Sequence, residues 1–116
     1  MKVIDNFLPQ EQFYLAAKHL MSYGFPWMWN DSVTKNECIA DPSEFQFVHS
    51  FYEPLCGVTT DYPEWLEIIK PYGDRFNPVS LMRIKANLNI GTSEFITREL
   101  HTDFNVPCKT AIAYIN

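Results

Sequence analysis

Apolar residues recur along this chain with two different periods, and each period predicts an element. Phe13, Ala16, Ala17, Leu20 and Met21 fall at i, i+3, i+4, i+7 and i+8, the stripe of a helix with one buried face. Pro9 suits the first turn of that helix and Gly24 is placed to end it. A second stripe, Trp65, Ile68, Ile69 and Tyr72, predicts a helix that starts near Pro63. Thr60 or Asp61 is its candidate cap, Glu64 lies in its first turn, and Pro71 is expected to end or kink it near Lys70. Both stripes read as core packing.

The other period is two. Phe45, Phe47, His49 and Phe51 alternate with Gln46, Val48, Ser50 and Tyr52, the strongest strand pattern in the chain. Phe25, Trp27 and Trp29 alternate in the same way, with Pro26 confining that strand to an edge or a start. From Ser80 to Leu88 the alternation is strict. Met82, Ile84, Ala86 and Leu88 form one face, and Arg83, Lys85 and Asn87, continued by Asn89, form the other. Lys109 to Asn116 reads as a further strand, with Ile112, Tyr114 and Asn116 on one side. Lys2 to Ile4 reads as a short one. Polar stretches at 30–44 and 89–99 read as connections, with Asp41-Pro42-Ser43 and Gly91-Thr92-Ser93 as turn signals. No internal repeat or low-complexity segment interrupts this order.

Composition narrows the class without choosing a function. With 116 residues, 47% hydrophobic and 16% aromatic, the chain is one globular domain. A formal charge of −5 without a basic cluster argues against nucleic acid as the main partner. No apolar run approaches the length of a membrane span, and the N-terminus lacks the apolar region of a signal peptide. Cys38, Cys56 and Cys108 are odd in number and widely spaced, so reduced thiols and a cytoplasmic location are expected.

Candidate chemistry lies in Leu100-His101-Thr102-Asp103-Phe104. On a strand, His101 and Asp103 leave the same face. An imidazole nitrogen and a carboxylate oxygen so placed can share one metal ion. They are two corners of the two-His, one-carboxylate triad of non-haem Fe(II) oxygenases. The bland alternative is a surface His beside an Asp. Of the other histidines, His19 lies beside a helical stripe and reads as a boundary residue. His49 sits among phenylalanines and reads as a packed core residue with a hydrogen bond. Cys108 near the motif raises a His/Asp/Cys zinc site as a further alternative, but no second thiol stands at ligand spacing.

The run Arg83-Ile84-Lys85-Ala86-Asn87-Leu88, then His101-Thr102-Asp103-Phe104, then Lys109 to Asn116, resembles the first half of the core of a 2-oxoglutarate- and Fe(II)-dependent dioxygenase. The likeness is greatest to the prolyl-4-hydroxylase-like branch, in the small forms found in phages and marine metagenomes. Ile4-Asp5-Asn6-Phe7-Leu8 and the strand from Phe45 to Tyr52 also resemble that branch.

The resemblance implies an α+β fold: a partial double-stranded β-helix (a cupin-like jelly roll) with two N-terminal helices packed on the sheet. Residues 1–78 would be a support region and 79–116 the first core strands. It implies His101 and Asp103 as Fe(II) ligands. Tyr114 would hydrogen-bond the distal carboxylate of 2-oxoglutarate, and Lys85, Asn87 and Asn89 would face the cosubstrate or substrate. The activity implied is hydroxylation coupled to decarboxylation of 2-oxoglutarate to succinate, with ascorbate as reductant and a protein or peptide as a candidate substrate. The family's second metal His and its carboxylate-pairing Arg or Lys follow the His-x-Asp motif, whereas His19 and His49 precede it and Arg98 adjoins it. The expectation is therefore the N-terminal part of a longer dioxygenase domain, inactive by itself. Two other readings stand beside it. One is a non-catalytic jelly-roll or α+β interaction module with an incidental His-x-Asp. The other is a homo-oligomer, joined through an open sheet edge, in which a second chain completes the site.

Overall fold

The computed structural model describes residues 2–31, 45–91 and 104–115. Helix α1 (Gln10–Leu20) is followed by strand β1 (Met28–Asn30), β2 (Gln46–Glu53), β3 (Gly57–Val58), helix α2 (Trp65–Phe76) and β4 (Ile84–Leu88). The expected α+β class is observed. The two helices lie against one face of a four-stranded sheet built entirely on β2. All pairings are antiparallel. β4 runs along one side of β2, and β1 and β3 share the other side end to end.

Side-chain alternation sorts the sheet into two faces. His49 is paired with Ala86, and Phe51 and Ile84 continue that face. Ala16 and Leu20 of α1 and Ile68 of α2 close on it, with Phe25 from the connection before β1. Phe51 and Ile68 are almost wholly buried, each stabilising the fold by about 1.5–3 kcal/mol relative to exposure. On the opposite face Met28, Val48 and Asn87 form a row across three strands, with Ser50 and Lys85 alongside.

Both helices form where the stripes predict, but α2 differs in its end. Its backbone continues through Pro71 to Phe76 instead of ending near Lys70. Pro71 has no N–H for the Glu67 carbonyl, a loss that costs a free helix about 3 kcal/mol. The last turn compensates by packing. Phe7 stacks on Phe76 at 4.5 Å, and the Arg75 guanidinium lies 4.9 Å from the Phe7 ring centre. Asn77, in the left-handed region at φ 44°, then closes the helix with its N–H on the Gly73 carbonyl.

Four strand expectations shift, among them the strand expected from Ser80, which begins only at Ile84. Residues 2–4 form no strand. The strand expected from Phe25 begins only at Met28, because Phe25 and Trp27 turn into the core before any ladder forms. Trp27 also donates its indole N–H to the Leu20 carbonyl at 3.1 Å, satisfying an orphan acceptor at the end of α1. Residues 54–60, where no strand is expected, contain β3, which folds back on β2 through Pro54-Leu55-Cys56. That turn holds Leu55 at φ 71° and Gly57 at φ 75°, a conformation a glycine adopts without strain and a leucine does not. In the described part of the strand expected over residues 109–116, that is 109–115, no strand forms, and none of the described strands pairs with it. The expected strand through His101 and Asp103 and the connection at 32–44 lie outside the described residues.

Candidate functional site

β4 positions the described part of the candidate site. Ile84 and Ala86 turn into the core and fix the strand. Lys85 and Asn87 therefore project from the face opposite the helices, paired across β2 with Ser50 and Val48. Both are exposed, as is Asn89 just beyond the strand. An ammonium and an amide two residues apart present hydrogen-bond donors to one space. Strand alternation thus brings Lys85 and Asn87 together, and Asn89 continues their line.

Tyr114 stands apart from that pair. It is 78% exposed and pairs with none of the described strands. Ile115 next to it does reach the core, so the segment is tied down at that residue. Arg83, just before β4, lies 4.9 Å over the ring of Phe104, the residue that follows the His-x-Asp motif. His101 and Asp103 themselves lie outside the described residues.

The two described histidines are committed elsewhere. His49, 5% exposed, has Nδ1 3.0 Å from the Pro26 carbonyl and Nε2 2.8 Å from Thr60 Oγ1. A carbonyl only accepts, so Nδ1 carries the proton and the Thr60 hydroxyl donates to Nε2 of the neutral ring. Thr60 Oγ1 accepts in turn from the Tyr62 N–H at 3.1 Å. The ring also meets Phe25 and Phe51 edge-on at 4.8 and 4.7 Å. His49 is thus the core residue anticipated, with two hydrogen bonds.

His19 bridges the helices. Its Nδ1 lies 3.1 Å from the Tyr62 hydroxyl and its Nε2 3.2 Å from the Glu67 carboxylate. The carboxylate accepts from Nε2–H, and the Tyr62 hydroxyl, which can both donate and accept, pairs with Nδ1. These partners are 43 and 48 residues away in sequence, and no local pattern could have joined them.

His101 and Asp103 offer one imidazole and one carboxylate, donor types that several divalent metals accept, Fe(II) among them. Neither His19 nor His49 has a ring nitrogen free to add to it. Among the described residues, no group of three His, Cys, Asp or Glu side chains is gathered to hold a metal. Cys56 and Cys108 are exposed free thiols. No described helix is long and apolar enough to cross a membrane. Comparisons with protein-family models, curated proteins and solved structures find no match.

Proposed function

We propose that this chain carries the first part of an Fe(II)- and 2-oxoglutarate-dependent oxygenase core of the prolyl-4-hydroxylase-like kind, built as a partial jelly roll. The observation that carries the reading is the order of its parts. A strand with a polar face, Ile84 to Leu88, precedes a His-x-Asp motif set between apolar residues, and a tyrosine follows at Tyr114. The open polar face of β4, opposite the helices, supports it, since a site lined by that face would be backed by a closed core.

In this reading His101 Nε2 or Nδ1 and an Asp103 carboxylate oxygen hold Fe(II), which supplies the activation of O₂ when bound. Lys85 contributes a cation to a dianionic cosubstrate. Asn87 and Asn89 orient the cosubstrate or substrate through their amides. Tyr114 donates its hydroxyl proton to a cosubstrate carboxylate. No further histidine is free to ligate, so the 116-residue chain is expected to hold metal weakly and to turn over little or no 2-oxoglutarate.

Mn(II), a paramagnetic stand-in for Fe(II), tests the reading by electron paramagnetic resonance titration. Expected is binding by the unaltered chain that is lost in His101→Ala with Asp103→Ala, while the circular dichroism spectrum is retained. Equal Mn(II) binding by the two proteins overturns the assignment, and so does no binding by either up to about 1 mM. Robust succinate release by the isolated chain with Fe(II) and ascorbate would refute the expectation that it is incomplete.

A further inference from the structure

Residues 71–76 are a poor helix by composition. Pro71 withholds a donor, Gly73 costs a helix more than any residue but proline, and Asp74 ranks just above it. Asp74, Arg75 and Phe76 are exposed, Phe76 at 48%. The core reaches this turn only near its start, through Tyr72. The N-terminal segment reaches its end. Phe7 stacks on Phe76 at 4.5 Å and on Tyr72 at 6.4 Å, and the Arg75 guanidinium lies 4.9 Å from the Phe7 ring centre. Among the described residues, Phe7 is the only ring that Phe76 meets.

The segment that carries Phe7 is itself lightly held. Lys2 to Asn6 are exposed, and Asn6 turns the chain at φ 51°. Leu8, buried, anchors it one residue beyond Phe7. A cleft of about 270 Å³ is lined by Leu8, Pro9 and Gln12 from one side and by Pro71, Asp74 and Arg75 from the other. The start of α1 and the end of α2 therefore do not seal against each other, and the ring contacts of Phe7 bridge them.

We propose that residues 2–8 form a strap, with Phe7 as its clasp, that holds the last turn of α2 helical, and that release of Phe7 returns the helix end to Lys70. With the clasp shut, α2 runs to Phe76, and Asn77 closes it through its N–H on the Gly73 carbonyl at 2.9 Å. With the clasp open, the connection into β4 starts at Pro71 instead of Asn77, so the strand that carries Lys85 and Asn87 is more loosely tethered. The two states are close in weight. Proline disfavours a helix by roughly a hundred-fold. An aromatic stack returns about two- to ten-fold and an exposed cation–π contact about two- to five-fold, with burial of the ring adding to both. The Lys70–Asp74 pair also favours the shut state, but both partners are exposed and such pairs contribute little.

Native-state hydrogen exchange, read by NMR on the 116-residue chain, tests the strap. The reporters are the Arg75, Phe76 and Asn77 amides, whose helical acceptors lie in the last turn, and the amides from Ala16 to Leu20 in α1 are the reference. Phe7→Ala speeds exchange at the reporters by roughly five- to fifty-fold beyond any change in α1, and moves the Cα chemical shifts of residues 73–76 toward coil values. Arg75→Gln, which removes only the guanidinium from an exposed position, speeds it about two- to five-fold. Pro71→Ala added to Phe7→Ala restores the helical shifts and slows the reporters about ten-fold or more relative to Phe7→Ala alone. Reporters unchanged in Phe7→Ala overturn the proposal. An equal rise in α1 and at the reporters overturns it too, since Phe7 is then an ordinary packing residue, and so does a double variant as frayed as Phe7→Ala. Neither metal nor cosubstrate enters the measurement, so its outcome is independent of the oxygenase reading.

Discussion

His49→Phe isolates what the buried imidazole contributes. A phenyl ring keeps the edge contacts to Phe25 and Phe51 and removes both ring nitrogens. The Pro26 carbonyl then loses its donor, and the Thr60 hydroxyl loses its acceptor. A buried group left unpaired costs about 1–3 kcal/mol. Thr60 is the cheaper of the two, because its oxygen still accepts the Tyr62 N–H. Together the losses come to roughly 2–4 kcal/mol, with the phenyl ring's gain in apolar burial offsetting the upper end. For a small protein unfolding in urea at about 1–3 kcal/mol per molar, that lowers the midpoint by roughly 1–2 M. Thr60→Val in the same background removes the orphaned hydroxyl, so the double variant loses less than the sum of the singles. A drop under about 0.5 kcal/mol for His49→Phe would refute the reasoning, as would strict additivity with Thr60→Val. In that case the His49 contacts are incidental to a core held by its aromatic rings alone.

Two further outcomes follow from particular residues. Burial raises the Tyr72 phenol above the ordinary value of 10.0. The folded state thus keeps the proton to higher pH than the unfolded chain, and Tyr72's contribution to stability is full below about pH 10 and lost as pH rises through the folded value. Melting temperatures between about pH 9 and 11 fall more steeply for the unaltered chain than for Tyr72→Phe, and parallel curves would contradict this. Pro71→Ala restores the N–H that the Glu67 carbonyl lacks, in a helix that already runs to Phe76. It raises stability by about 1–3 kcal/mol in urea unfolding. A loss would mean that the ring's packing outweighs the missing bond.

The parts of the fold legible from residues alone are those whose burial is periodic. Ala16 and Leu20 in α1, Ile68 in α2, and Phe51 in β2 face the core as their spacing requires. The strict alternation before Leu88 correctly separates Ile84 and Ala86 from Lys85 and Asn87. Legibility fails where the deciding partner is distant. β3 has two residues and no pattern of its own, and it exists because β2 offers Tyr52 and Glu53 an antiparallel neighbour. Pro71 is a breaker by propensity, and only the Phe7 and Arg75 contacts explain why α2 passes through it. Conversely, Lys109 to Ile115 has the local preference for a strand, yet it joins none of the described strands. Of the candidate site, the Lys85 and Asn87 face was legible. The engagement of both His19 nitrogens by Tyr62 and Glu67 was not.

The polar contacts follow a division of labour between the two faces of the sheet. On the helix side His49 joins β2 to both connections that enter the core, through Pro26 before β1 and Thr60 before α2. Tyr62 extends that junction to His19 of α1, which reaches Glu67 of α2. No buried side-chain nitrogen or oxygen among the described residues lacks a partner. Such a junction is costly to break because the two His49 nitrogens serve different connections, so losing that ring takes a partner from both the Pro26 carbonyl and the Thr60 hydroxyl. The opposite face has the reverse character. Lys85 and Asn87 lie open on a strand whose inward residues are held independently of them. Chemistry on that face can therefore vary without entering the core, and a scaffold with this property supports a site whose remaining groups come from elsewhere in the chain.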